Sequence, residues 1–426
     1  MLLIGIPLAA SVLEGVLESE AMDANRAVRH LFWGVLILLL SACSVLNPAP
    51  KITPLFTDLP ATATFDSQQA QTKAAYQATP TPRPSPTPWR VVTPTATQNT
   101  VPDQTYRTNP LTGLEVEDTD LLLERPVMVK LANWPQSLRP FNQILKADIV
   151  FEYFIGHQTN HILALFYGGG AEAVGPLAPG RLVDARLAHR YQASLAVASA
   201  PTTVEGVFEQ TLPDRVYYRG YAPCPGICTE TEAQGGNTVV DTAALRAYIR
   251  TKDPENAIER LPDLHFDKEI SAWDETALRV SYLYADFSVM DWRYNKVYGG
   301  YELWQDFQKE DGTYTLQQTL DRDTQQPVIF ENVLILLADY IEYNPAFFDI
   351  DFREGDKEQA AILLRDGKMT NGTWYAPANN MPLQFFDQRG NPYILKPGQT
   401  WITFASTTSR IEMVEEGVWD ITFVAN

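Results

Sequence analysis

Residues 157–161 read HQTNH, which places two of the chain's five histidines four positions apart. On a helix that spacing puts both rings on one face, as in the zinc-binding motif HExxH. The motif's general base is missing, because Gln158 stands where the glutamate belongs. A third ligand would have to be His189, His265 or an acid such as Glu152. The flanks ADIVFEYFI and ILALFY are apolar, β-rich and of strand length, and Gly156 and Asn160 suit turn dihedrals. The pattern therefore predicts a hairpin with His157 and His161 as polar residues at a strand connection, and no metal.

Other residues could also do chemistry. Arg181 lies where a Gly/Pro-rich loop enters a helix, and a helix N-terminus with a planar guanidinium attracts anions. The loop is not a phosphate-binding P-loop, since GxxxxGK[ST] is absent. A surface arginine beside an ordinary turn is the competing reading. Asp148 and Glu152 are carboxylates that could serve as acid and base. No Ser-His-Asp or Cys-His signature accompanies them, and nothing calls for a cofactor. Cys224 and Cys228, in APCPGICTE, are close enough to pair. Outside the cytoplasm a disulfide is the default, here a loop clip contributing about 2 kcal/mol on the loop-entropy argument. A redox pair or half of a metal site are the alternatives, but C-x3-C is not the thioredoxin-like spacing and there is no second pair.

These residues must be positioned by an α+β chain. RPVMVKLAN alternates like a strand, and LVDARLAHR is helical, with Leu182, Ala185, Leu187 and Ala188 as its apolar stripe and Arg186 and Arg190 on its polar side. SLAVASA follows as a buried strand and TTVEGVFEQ as a short helix. Asp241 caps TAALRAYIR, whose Arg246 and Arg250 come late in the helix, where its dipole favours cations. Beyond a break near TKDPENAIERLPDL, strand patterns recur through ALRVSYLYAD, SVMDWRYN, YELWQDF, ENVLILLADY, AAILLRDGKMTNGTWY, PLQFFDQRGNPYIL and WITFAS. Trp292, Trp304, Trp374 and Trp401 could form a sugar-stacking face, but core and cross-strand packing is the default. The expected architecture is a mixed α/β subdomain over 109–258 followed by a β-rich subdomain over 259–426.

The first hundred residues supply an address. Arg26 and Arg29 precede the apolar run Leu31–Leu40, which ends in Leu40-Ser41-Ala42-Cys43. That run is short for a bilayer span and suits a secretory signal. Its end resembles the bacterial lipobox, which makes Cys43 the lipidated residue; a single N-terminal membrane anchor is the alternative. Residues 1–21 place acids ahead of the basic region and read as a mis-called start, leaving 22–42 as the signal. From 43 to 108 the chain is a Pro/Thr-rich tether. Seven prolines and seven threonines in 79–102 exclude helix and sheet and span on the order of 75 Å when extended. The formal charge of −19 argues against nucleic acid or an anionic surface as partner.

The stretches NPLTGL, RPVMVKLAN, ADIVFEYF, LALFYGGGAEAVGP, NVLILLADY, GKMTNGTWY and LKPGQTWI, in this order, resemble the YerB-like lipoprotein family, domain of unknown function 3048, from Asn109 to about Phe404. The resemblance implies an exported lipoprotein with N- and C-terminal subdomains and no known reaction. The family's Gly-Pro-x-Arg-Ser-x-Arg loop appears here as GPLAPGR, with Arg181 at the second arginine and Ala178 at the first. Glu152 matches the family's usual acid, while Gly156 and His161 occupy the segment where it tends to place an acid and an arginine. Glu152, Arg181 and His161 are thus the ligand-binding candidates. The expected function is a lipid-anchored, non-enzymatic binding or scaffold protein on the extracytoplasmic face of the cell membrane, with cell-wall material or another envelope protein as partner. The alternative is a hydrolase or transferase acting on wall material through Glu152, Asp148, Arg181 and His161.

Overall fold

A computed structural model describes residues 107–425 except 232–235, 255, 270–274, 356 and 379–380. The proposed start, signal, lipid-bearing Cys43 and tether lie outside the described residues.

The first strands are β1 (Val127–Ala132), β2 (Ile149–Gly156), β3 (Thr159–Phe166), β4 (Ser194–Val197) and β5 (Val216–Tyr218). Two α-helices join β3 to β4 and β4 to β5, α1 (Leu182–Arg190) and α2 (Thr202–Thr211), and α3 (Thr242–Lys252) comes after β5. β6 (Arg279–Ala285), β7 (Ser288–Asn295), β8 (Gly300–Gln308) and β9 (Tyr314–Gln318) follow. Then come β10 (Asn332–Asn344), β11 (Phe347–Asp351), β12 (Gln359–Arg365), β13 (Lys368–Tyr375) and β14 (Gln384–Asp387). The last are β15 (Thr400–Ser406), β16 (Arg410–Glu415) and β17 (Val418–Thr422). Strands thus predominate, and the described residues form several sheets.

One sheet has twelve strands, with the path β14-β13-β12-β10-β15-β2-β3-β1-β4-β5, while β11 pairs with β10 and the short strand Glu275–Thr276 with β13 off this path. It contains strands from both expected subdomains, joined where β15 pairs in parallel with β2 and Val150 faces Trp401 in register. A seven-stranded sheet has the path β9-β8-β7-β6-β17-β16, with the short strand Ile329–Phe330 pairing beside β8.

The hairpin β2–β3 forms where the sequence predicts it. His157 and Gln158 are its two-residue connection, both at positive φ (51° and 58°), the conformation of a type I′ turn. Gly156 has φ +100°, and a Cβ there would lie 2.4 Å from the carbonyl oxygen of Pro345, so the packed turn requires glycine.

Side chains alternate across a sheet. Lys130, Tyr153 and His161 therefore share one face, and Glu152, Phe154 and Asn160 the other. Helix α1 covers the first face: Tyr191, just past its end, meets Phe151 edge-on at 5.4 Å. The second sheet covers the other face. There the Phe154 ring lies tilted against Phe423 at 4.5 Å and Trp401 meets Trp292 edge-on at 5.1 Å. Trp292, Trp374 and Trp401 are fully buried, so they are core residues; each contributes roughly 4–6 kcal/mol of transfer free energy before entropy is counted. Trp304 is half-buried beneath Arg293, 4.0 Å from its ring.

Arg190, expected on the polar side of α1, is buried instead, and so is Arg246 of α3. Arg190 donates to the carbonyls of Pro377 and Met381. Arg246 donates to those of Phe166 and Gly169 at 2.8 and 2.7 Å. Each caps backbone that the sheets leave unpaired, a demand set by tertiary contacts rather than by helix periodicity.

Candidate functional site

Glu152 has no solvent exposure. Its Oε1 accepts from Asn160 Nδ2 at 2.6 Å, and its Oε2 from Trp401 Nε1 at 2.8 Å and Thr403 Oγ1 at 2.9 Å. Burial raises its pKa, and these donors hold it back down. All three donors come from neighbouring strands of the sheet, so Glu152 is a strongly anchored acceptor.

The other two candidates lie on the opposite face. His161 is buried inside β3 rather than at a strand end, and its Nδ1 has no hydrogen-bond partner. Burial, then Lys130 and Arg181, depress its pKa well below the usual value. Nearby, the ammonium of Lys130 donates to the Tyr153 hydroxyl, which donates to Asp184; Lys130 Nζ also lies 3.2 Å from Asp184 Oδ1. Lys130 and Asp184 are both fully buried, and burial brings the lysine down to about 8. Arg181 is the N-cap of α1, and its backbone N–H donates to Asp184 Oδ2 at 2.7 Å. The structure thus brings His161 and Arg181 to one face and separates both from Glu152. Lys130 and Asp184 were missed in the sequence; the available signal was a lysine in the middle of the apolar run VMVKLA.

Asp148 stands apart, just before β2. It accepts from Asn109 Nδ2 at 2.8 Å and from the Tyr167 N–H. Burial raises it to about 7, and it lines a cavity of about 380 Å³ with Gly168, Gly169 and Gly170. His157 is exposed in its turn. Among the described residues no group of three or more His, Cys, Asp or Glu could hold a metal ion. Cys224 and Cys228 have their sulfurs 2.10 Å apart, at bonding distance.

The Glu152 network leads to a larger opening. Asn160 Oδ1 accepts from Asn133 Nδ2 at 2.7 Å. Asn133 Oδ1 accepts from Gln305 Nε2 at 2.8 Å and Arg139 Nε at 3.0 Å. Gln305 Oε1 accepts from Thr319 Oγ1 at 3.1 Å, and Arg139 pairs with Asp306 at 3.2 Å. Arg139, Gln305, Asp306 and Thr319 line a cavity of about 670 Å³ between segment 134–140 and strands β8 and β9. Six glutamines line it, with Trp134 and Phe307 as its aromatic surfaces. Phe307 is 47% exposed. A fully satisfied network holds such amides in place. Amides offer both a donor and an acceptor, which is what a hydroxyl needs, and aromatic faces accept the apolar side of a ring. Sequence reading missed this cavity because its walls come from segments about 170 residues apart. The local signal was a run of amides, QQT at 317–319, opposite NWPQ at 133–136.

Comparisons with known proteins agree with one another. The family model described as the N-terminal domain of a protein of unknown function (DUF3048) matches residues 111–255, and its C-terminal counterpart matches 278–402. A protein from Bacillus subtilis (strain 168) named "Putative lipoprotein YerB" is 24% identical over 309 residues, covering 72% of this chain and 88% of the relative. The crystal structure of YerB from Bacillus subtilis matches with a TM-score of 0.57 at 22% identity, covering 70% of this chain and 96% of that one. Among the described residues no helix is long and apolar enough to cross a membrane.

Proposed function

The chain belongs to the DUF3048 family of proteins of unknown function, and from that premise we propose a lipid-anchored, non-enzymatic binding lipoprotein of the bacterial envelope. Its site is the cavity beside Arg139, and its ligand is a polyhydroxylated glycan of the wall. The likeness to a protein named as a lipoprotein supports the anchoring, as does the lipobox-like end at Cys43.

The observation that carries the binding reading is the composition of the cavity wall. Neutral amides and two aromatic residues dominate it, and Asp306 is its single carboxylate. Asp306 already accepts from Gln136 and the Val289 N–H and pairs with Arg139. Glycoside hydrolysis ordinarily uses two carboxylates flanking the bond. The polar groups of the alternative, a wall hydrolase or transferase, are dispersed: Glu152 on one sheet face, His161 and Arg181 on the other, and Asp148 in a separate cavity.

The test is co-sedimentation of the full chain, in detergent, with purified insoluble wall sacculi. Wild type should pellet saturably, and Trp134→Ala should weaken binding about tenfold, in the range of a lost aromatic anchor. Equal pelleting of wild type and Trp134→Ala removes the cavity from the reading. Release of soluble reducing ends from the sacculi would establish the hydrolase instead.

A further inference from the structure

A second cavity, of about 920 Å³, shares no lining residue with the glycan site. Strand register explains how it forms. β1, β4 and β5 are parallel neighbours, with Val127 beside Ser194 and Leu195 beside Val216. The residues entering these strands, Arg125, Gln192 and Arg215, therefore gather at one end of the sheet. Arg125 Nη1 donates to the Gln192 carbonyl at 3.2 Å. Arg215 donates to the Ala193 carbonyl at 3.5 Å and the Thr211 carbonyl at 3.2 Å. Two guanidiniums are thus held by consecutive carbonyls, both half-buried and both lining the cavity.

Among the described residues neither makes an ion pair, although Arg139, Arg186, Arg279, Arg293 and Arg322 each hold a carboxylate. Arg125 Nε is buried without a hydrogen-bond partner. Burial, and then the neighbouring Arg125, push Arg215 down to about 10. Gathering two like charges with no carboxylate in direct contact is unfavourable, although Asp214 and Asp253 line the same cavity. A tyrosine wall stands beside the pair. The Tyr217 ring meets Tyr248 edge-on at 6.4 Å, Lys252 Nζ sits 5.5 Å from the Tyr248 ring, and Tyr221 is 75% exposed.

We propose that this cavity binds a phosphate ester, with Arg125 and Arg215 holding the phosphate and Tyr248 and Tyr221 receiving the ring or chain that carries it. A phosphate dianion matches two unpaired guanidiniums in charge and in the fork geometry of their donors. The volume suits a ligand of nucleotide or disaccharide size. Lys252 adds a cation at the rim, while Asp214 and Asp253 at the same rim disfavour a ligand with acids along its whole length. The site stands independently of the glycan reading.

Calorimetric titration of the full chain at physiological salt tests it, with phenyl phosphate, inorganic phosphate and poly(glycerol phosphate) as probes. Phenyl phosphate should bind saturably, and the double variant Arg125→Gln, Arg215→Gln should lose at least about tenfold in affinity. Tyr248→Ala should erase the advantage of phenyl over inorganic phosphate. Tighter binding of the polymer per phosphate, each a monoanionic diester on a wholly anionic chain, would overturn the dianion reading; preference for phenyl phosphate would support it and assign a small monoester. Absence of saturable heat with all three probes overturns the site, as does unchanged affinity in a folded double variant. Should that variant fail to fold, arginine modification by phenylglyoxal on wild type decides the matter. Phenyl phosphate must then shield Arg125 and Arg215 while leaving Arg353 reactive, and equal labelling of all three would sink the proposal.

Discussion

The indole N–H of Trp401 donates to Glu152 at 2.8 Å across 249 positions of the chain, joining strands from the two family-model segments in one buried network. Glu152 has no solvent exposure, so any change there alters hydrogen bonds that water cannot replace.

Replacing Glu152 by Gln keeps the shape and exchanges an acceptor for a donor. One of Asn160, Trp401 and Thr403 then faces an N–H instead of an oxygen. Glu152→Gln should lower stability by about 1–3 kcal/mol, the cost of an unsatisfied buried group. Denaturant midpoints of the two proteins at pH 7 check this, and equal midpoints would contradict the network.

Asp148 should couple stability to pH. Its folded pKa of about 7 lies above the ordinary carboxyl value of 3.8. The folded protein therefore keeps a proton that the unfolded chain releases, and stability falls as pH rises from about 4 to 7. One such proton corresponds to roughly 1.4 kcal/mol per pH unit. Asp148→Asn should flatten the dependence by that slope between pH 5 and 7. Because Glu152 and Glu331 are also raised, the quantity to compare is the difference between variant and wild type.

Gly156→Ala should destabilise by about 1–3 kcal/mol, because alanine resists φ +100° and its Cβ would meet the Pro345 carbonyl at 2.4 Å. A thermal melt suffices as the readout. His157→Ala, one residue on and exposed, serves as the control and should change the melt little.

Cys43→Ala should release the protein from the membrane fraction, if the lipobox-like LSAC marks the lipidated thiol as proposed. Mass spectrometry of the wild-type N-terminal peptide should show a diacyl or triacyl mass. Persistent membrane association of the variant, with no lipid on wild type, rules this out.

Much of the fold could be read locally. Val127–Ala132, the β2–β3 hairpin, α1, and the capping of α3 by Asp241, whose side chain accepts from Ala244 N at 2.8 Å, follow from periodicity, turn residues and capping, which act over a few positions. The dense C-terminal strands were legible for the same reason, and the burial of Trp292, Trp374 and Trp401 followed from the default behaviour of aromatic residues in strands. The site was not legible. Glu152 and His161 look like neighbours nine positions apart, yet the sheet's alternation assigns them to opposite faces, one beneath the second sheet and the other beneath α1. Asn133 reaches Gln305, and Arg125 lies beside Arg215, only because strand order brings distant segments together. Sequence by itself determined which segments are strands and helices, because those preferences are local. Tertiary structure alone decided which polar groups meet, because strand pairing is non-local and a buried donor takes whichever acceptor that pairing brings within 3 Å.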